Sequence, residues 1–257
     1  MSTEPIEEYD DELVSLLQLV WGDGFLAPGG PASVARTVGA VDIRGASVLD
    51  VGCGIGGADV VLAKRFGALV TGLDVETGLI ELARSNAREA GADVEYVHAS
   101  PGPLPFPNGA FDHVFSHAAI IHVPDKRAMF EEIWRVLRPG GWLLAYDWLR
   151  ATEPYSEDML RWFELEGLHY SMDHLDNYLG MLAQTGFVEV SGEDDNAGYR
   201  AMAHDEYHRM LGEWNDRMTT LLGAERRDHF LEDWRMLTVV LDNGELRPAY
   251  FRARKPT

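Results

Sequence analysis

Val48-Leu49-Asp50-Val51-Gly52-Cys53-Gly54-Ile55-Gly56-Gly57 sets the architecture of everything around it. The apolar run from Ser47 to Val51 reads as a buried parallel strand, and an apolar-periodic helix opens near Ala58. Between them, Gly52 and Gly54 let the backbone turn tightly and approach a ligand, because neither carries a Cβ. The N–H groups that begin the helix point into the same crevice. Dinucleotide enzymes also place a glycine loop after a strand, so the loop alone does not choose the ligand. Here the spacing is Gly-x-Gly-x-Gly-Gly rather than Gly-x-Gly-x-x-Gly, and the strand itself carries Asp50. A second acid, Asp74, ends the next strand, where a carboxylate suits a ribose diol.

Outward from this loop, strand and helix alternate, the pattern of a parallel sheet covered on both faces. Strands are expected at 47–51, 68–73, 93–98, 111–116 and 142–147, with helices at 57–66, 77–90 and 125–138. Pro101, Pro103, Pro105 and Pro107 exclude a helix after the third strand, and Pro139-Gly140-Gly141 is expected to turn the chain into the fifth. Upstream, Leu13, Leu16, Leu17 and Val20 keep helical spacing from Asp10 to about Gly22, and Pro31 can open a second helix. Downstream, helical segments are expected at 156–169, 172–185, 203–222 and 224–238. A sixth strand is expected at 187–191, a loop at the acids 193–195 and a last strand at 247–254. The chain thus divides into a helical lid (1–40), a ligand-binding core (41–147) and a region finishing the sheet with an inserted helical cap (148–257). Residues 1–9 are acidic and expected to be mobile.

Bulk properties narrow the partners. The 257 residues are 46% hydrophobic, enough for a substantial core. A formal net charge of −20 argues against nucleic acid and against an anionic membrane surface. The single cysteine, Cys53, excludes an internal disulfide. No signal-peptide pattern is evident and no apolar run is long enough to span a bilayer, so a soluble, cytoplasmic protein with a small-molecule substrate is expected, as monomer or homodimer.

Asp50-Val-Gly-Cys-Gly54, Gly72-Leu-Asp74, Leu104-Pro-Phe-Pro107 with Phe111-Asp112, and Leu137-Arg-Pro-Gly-Gly141 together resemble the class I S-adenosylmethionine (SAM)-dependent methyltransferases. The resemblance covers about Val48 to Asp147. It implies a Rossmann-like α/β fold, a mostly parallel seven-stranded sheet with an antiparallel last strand, and inserted helices lying over the cofactor. It implies SAM as cofactor, held by Asp50, Gly52, Gly54, Asp74, Val75, Ser100, Pro101 and His117. Ser100 departs from the family, which usually places an acid there to accept from the adenine amino group; a hydroxyl accepts more weakly.

A looser resemblance extends over most of the chain. Tyr9-Asp-Asp-Glu12 and Trp21-Gly-Asp-Gly-Phe-Leu-Ala-Pro-Gly-Gly30 resemble the lid of phosphoethanolamine N-methyltransferases. Ser116-His117-Ala118-Ala119-Ile120-Ile121-His122 resembles a motif of those enzymes and of the sarcosine/dimethylglycine N-methyltransferases. An amine must lose its proton before it accepts a methyl, so a base within reach helps, and histidine titrates near working pH. The resemblance thus makes His122 the expected catalytic residue. The related motif carries an acid four residues before that histidine; here Ala118 stands there, and Asp147 is a candidate substitute. The phosphobase enzymes hold phosphate with tyrosines, an arginine and a lysine. Tyr9 and Tyr170 are retained, whereas the arginine position becomes Leu168 and the lysine position falls near Leu237. An acceptor like sarcosine or dimethylglycine is therefore expected over phosphoethanolamine, with Arg200 the first choice for its carboxylate. Phe25, Trp148 and Tyr170 join Tyr9, Asp147 and Arg200 on the substrate side, where rings suit a methylated ammonium. His204 and His208 at i, i+4 lack a third ligand, so no metal is expected. Two other readings stay open: methylation of oxygen or carbon on a larger natural-product-like metabolite, or SAM binding without transfer.

Overall fold

In the computed structural model, residues 9–151 and 153–257 are described; the expectation for 1–8 lies outside them. A seven-stranded sheet runs in the order β3-β2-β1-β4-β5-β7-β6. Its strands are β1 (Ser47–Val51), β2 (Leu69–Asp74), β3 (Val94–His98), β4 (Phe111–His117), β5 (Leu137–Asp147), β6 (Val188–Asp194) and β7 (Ala249–Arg254). The first five pair in parallel, and β7 runs antiparallel to both β5 and β6, as expected. Chain order reverses beside β1, so the carboxyl ends of β1, β2 and β4 open on one crevice.

Helices α3 (Gly57–Phe66), α4 (Thr77–Ala90) and α5 (Lys126–Val136) connect the parallel strands. Gly67 and Gly91 end α3 and α4 in the left-handed conformation, at the helix ends expected. The lid helices are α1 (Asp11–Trp21), capped by the Asp10 carboxylate on Leu13 N–H, and α2 (Gly30–Val38) with Pro31 in its first turn. The cap adds α6 (Glu157–Glu166), α7 (Leu175–Thr185), α8 (Asn196–Leu211) and α9 (Asn215–Asp242). A core under the cap gathers Leu16, Trp148, Trp162, Tyr199, Trp214 and Trp234, separate from the sheet cores.

Three boundaries differ from expectation. β5 includes Pro139-Gly140-Gly141 as a bulge, because Gly140 N–H finds the carbonyls of Lys255 and Pro256 in the chain end alongside. Glu193 and Asp194 belong to β6 rather than a loop: β6 is an edge strand, where acids stay in water and pair with Arg36 and Arg247. The segments expected at 203–222 and 224–238 are α8 and α9, parted at 212–214 where Trp214 is buried. α9 breaks at Gly223, whose φ of 77° is left-handed.

Candidate functional site

The glycine loop is shaped by what presses on it. Gly52 has φ 78°, and a Cβ there would lie 2.2 Å from the Ala119 Cβ, in the turn after β4. A Cβ on Gly57 would lie 2.2 Å from the Gly24 carbonyl oxygen, and one on Gly54 would touch the Leu26 side chain at 3.5 Å. The lid segment therefore lies directly on the loop. Asp74 closes the loop from below: Oδ2 accepts the Gly54 N–H at 2.8 Å and Oδ1 the Glu76 N–H at 3.0 Å. Each oxygen keeps a further acceptor site for a diol. Asp50 is buried at the end of β1, where desolvation pushes it up to about 7, and its Oδ1 has no partner among the described residues. Asp59 of α3 is buried with it and is itself pushed well up by burial and by the neighbouring Asp50 charge. Val75 offers its carbonyl to His98 Nε2 at 3.0 Å, and Ser100 and Pro101 are exposed after β3. A cradle of glycines with an anchored acid and a buried unpaired oxygen fits a polar ligand bearing a ribose.

A small aromatic pocket adjoins this loop. Tyr9, Leu17, Trp21 and Leu26 line it from the lid, Ala118 and His122 from beyond β4, and Trp148, Glu166, Leu168 and Tyr170 from the cap. Leu26 belongs to both spaces, and Ala118 adjoins the Ala119 that meets Gly52, so loop and pocket share a wall. Ala118 holds φ 55°, a left-handed backbone at a non-glycine residue, with its N–H on the Tyr146 carbonyl at 2.8 Å.

His122 ends the 3-10 turn Ile120–His122. Its Nδ1 lies 3.0 Å from the His169 carbonyl oxygen, which only accepts; Nδ1 therefore carries the proton and Nε2 the lone pair of the neutral ring. The imidazole centroid is 5.4 Å from that of Tyr170. The turn is fixed by Lys126, whose buried Nζ donates to the carbonyls of Ile120 (2.6 Å), Ile121 (3.0 Å) and Val123 (2.6 Å). Burial pulls this ammonium down to about 8, opposed by the nearby Asp147 carboxylate.

Tyr9, Trp148, Tyr170 and His122 thus come together as expected, and four other placements do not follow the sequence. Asp147 does not line the pocket. It is fully buried, accepts from Tyr178 Oη at 3.1 Å, faces the Lys126 charge and is pushed up to about 7 by desolvation. Arg200 stands half-exposed on α8 with its Nε 3.8 Å from Asp242, because the helix turns the adjacent Tyr199 inward. Phe25 is buried in the cluster around Val34 and Val38, against Gly57 rather than the pocket. His117 is stacked 4.8 Å from Tyr146, with Ser33 Oγ 2.7 Å from Nε2, and so ties α2 to β4. Desolvation pulls it down to about 4.

Sequence reasoning missed Lys126, Glu166 and Asp233. Glu166 accepts from Tyr170 Oη at 2.8 Å, and burial beside Asp233 of α9 pushes both acids up. The signal was present: with Met159 and Trp162, Glu166 occupies the inward stripe of α6, and Asp233 falls in that of α9 with Phe230, Leu237 and Leu241. Among the described residues no group of His, Cys, Asp and Glu could hold a metal. No described helix is long and apolar enough to cross a membrane.

Residues 49–145 match the family model of a methyltransferase domain. The chain is 28% identical to phosphoethanolamine N-methyltransferase 3 of Arabidopsis thaliana over 249 residues, 96% of this chain and 50% of that one; it spans about half the length of such curated relatives. Among solved structures it superposes with a TM-score of 0.89 on Haemonchus contortus phosphoethanolamine N-methyltransferase 2, bound to phosphomonomethylethanolamine and S-adenosylhomocysteine. That match has 24% identity and covers 97% of this chain and 59% of the other. A Galdieria sulphuraria protein assigned as a sarcosine dimethylglycine methyltransferase gives 0.81, with 19% identity over 96% of this chain and 99% of the other. With its glycine loop, Asp74 and sheet order, the chain as a whole has the class I methyltransferase fold, and residues 49–145 are the part that matches the methyltransferase-domain model.

Proposed function

We propose that this chain is a SAM-dependent N-methyltransferase acting on a small amine. The observation that carries the reading is the wall shared by the glycine loop and the His122 pocket, which sets an acceptor beside whatever the loop holds. Gly52, Gly54 and Asp74 would hold SAM, which supplies a methyl carbon on a sulfonium. Displacement at that carbon needs an unprotonated nitrogen roughly 3–3.5 Å away, held in line. His122 serves as base through Nε2, since the His169 carbonyl fixes the tautomer. Lys126 holds the turn that carries it. Leu26 and Trp21 of the lid keep bulk water from the acceptor.

The named relatives support an amine acceptor. The preference for a carboxylate-bearing one loses its ligand, because Arg200 is remote and neither Arg nor Lys is among the residues lining the pocket. The test is calorimetry with SAM and S-adenosylhomocysteine, followed by a panel of amines with product mass as readout. His122→Ala is expected to lower turnover by about 10²–10⁴-fold with cofactor affinity unchanged; unchanged turnover removes His122 from the chemistry.

A further inference from the structure

A buried carboxylate joins the lid to the cap from behind the acceptor pocket. Glu206 of α8 is 4% exposed and takes one indole on each oxygen: Trp21 Nε1–H donates to Oε1 at 3.0 Å and Trp234 Nε1–H to Oε2 at 3.1 Å. Trp21 is the last residue of α1; it is half-buried, and it lines the pocket with Leu17, Leu26 and His122. Trp234 of α9 is buried in the core under the cap, its ring 5.9 Å from that of Trp21, and lies outside the pocket lining, as does Glu206. The other end of α1 reaches α9 through Asp10 and Glu12 on Arg226, solvent-facing ion pairs that contribute little. The lid turn beyond Trp21 has its own tie, since Gly24 N–H donates to Gln18 Oε1 at 2.9 Å.

The two indoles differ in what they hold. Trp234 stays inside the cap whether or not it is bonded, whereas Trp21 is a movable wall of the pocket. With Trp21 swung away, Glu206 Oε1 loses its donor while still buried. Leaving a buried acceptor unsatisfied shifts such an equilibrium by about five- to a hundredfold, so the bond favours the closed wall. An acceptor that binds only the closed wall has its apparent affinity lowered by the fraction of molecules that are closed. Resting on the N-methyltransferase reading, we propose that Glu206 is a positioning residue for that reaction: it lies outside the pocket and, through Trp21, sets the KM of the acceptor.

The test uses the full chain with SAM and whichever of 2-aminoethanol, phosphoethanolamine and sarcosine the wild type methylates fastest. Trp21→Phe and Trp234→Phe each keep a ring and remove one of the two N–H donors to the same carboxylate. Trp21→Phe is expected to raise the acceptor KM at least about fivefold, with kcat and S-adenosylhomocysteine affinity within about threefold. Glu206→Gln keeps one acceptor but turns an amide N–H₂ toward an indole N–H, and is expected to raise KM by at least about fivefold as well. Combining Glu206→Gln with Trp21→Phe should raise KM no further than Trp21→Phe alone, because both break one bond. Trp234→Phe should lose stability to urea yet leave KM within about twofold. Hydrogen exchange read by mass spectrometry should show segment 17–25 opening faster in Trp21→Phe and Glu206→Gln than in Trp234→Phe. A carboxylate that only staples the core predicts the same KM in Trp21→Phe and Trp234→Phe. That outcome, or wild-type KM in Glu206→Gln, overturns the proposal while leaving the N-methyltransferase reading intact. Turnover of no amine by the wild type overturns both.

Discussion

Replacing Lys126 by methionine isolates the device that positions His122. Met keeps most of the side-chain volume and removes the ammonium, leaving the carbonyls of Ile120, Ile121 and Val123 without their shared donor and Asp147 without its nearby cation. Breaking a buried charge pair by removing one partner costs about 3–5 kcal/mol. The lower end is expected, because Asp147 already lies near 7 and can take up a proton at neutral pH with little penalty. Urea unfolding at pH 7 should therefore show Lys126→Met less stable by about 3 kcal/mol, and Lys126→Met with Asp147→Asn should recover part of that loss. Turnover should fall at least tenfold in both variants. Affinity for S-adenosylhomocysteine should stay within about twofold, since Asp74 and the glycine loop are held independently. Wild-type turnover in a variant that has lost the stability would refute the positioning role, and a stability loss under about 1 kcal/mol would refute the buried pair.

Asp74→Ala removes the acceptor of the Gly54 and Glu76 N–H groups and the expected diol ligand; calorimetry should show SAM affinity lowered at least about a hundredfold, since charge-assisted hydrogen bonds contribute about 1.5–3 kcal/mol each. Gly52→Ala places a methyl 2.2 Å from Ala119 at a left-handed φ, so it should abolish SAM binding or folding, whereas Gly180→Ala in α7, with open space around its Cβ position and no positive φ, should fold and bind SAM. His117 is held down to about 4 against an ordinary 6.5, so its contribution is complete above pH 6.5 and is lost as pH falls toward 4. His117→Asn should consequently lose about 2 kcal/mol less stability than wild type between pH 7 and pH 5, measured by denaturant titration; an equal loss would contradict the buried neutral ring.

The sheet was legible because its determinants are local. Ser47 to Val51 is an uninterrupted apolar run with a glycine stop, and β1 and α3 have the expected bounds. The cap was harder to read, since long amphipathic stretches do not announce where a buried tryptophan such as Trp214 forces a break. At the site, Tyr9, His122, Trp148 and Tyr170 were readable from motif and resemblance, and the pocket assembles all four. Arg200 and Asp147 show the limit: helix phase carried the first outward, and burial beside Lys126 and Tyr178 gave the second a structural partner. Glu166 and Asp233 come from α6 and α9, far apart in the chain, and only the packing of those helices makes them a pair.

A crystal structure of the chain grown with S-adenosylhomocysteine tests the central claim most directly. The account predicts the ribose on Asp74, the homocysteine over Gly52 and Gly54, and the sulfur facing the pocket lined by Ala118 and His122. A product bound elsewhere, or with its sulfur turned away from His122, would contradict it.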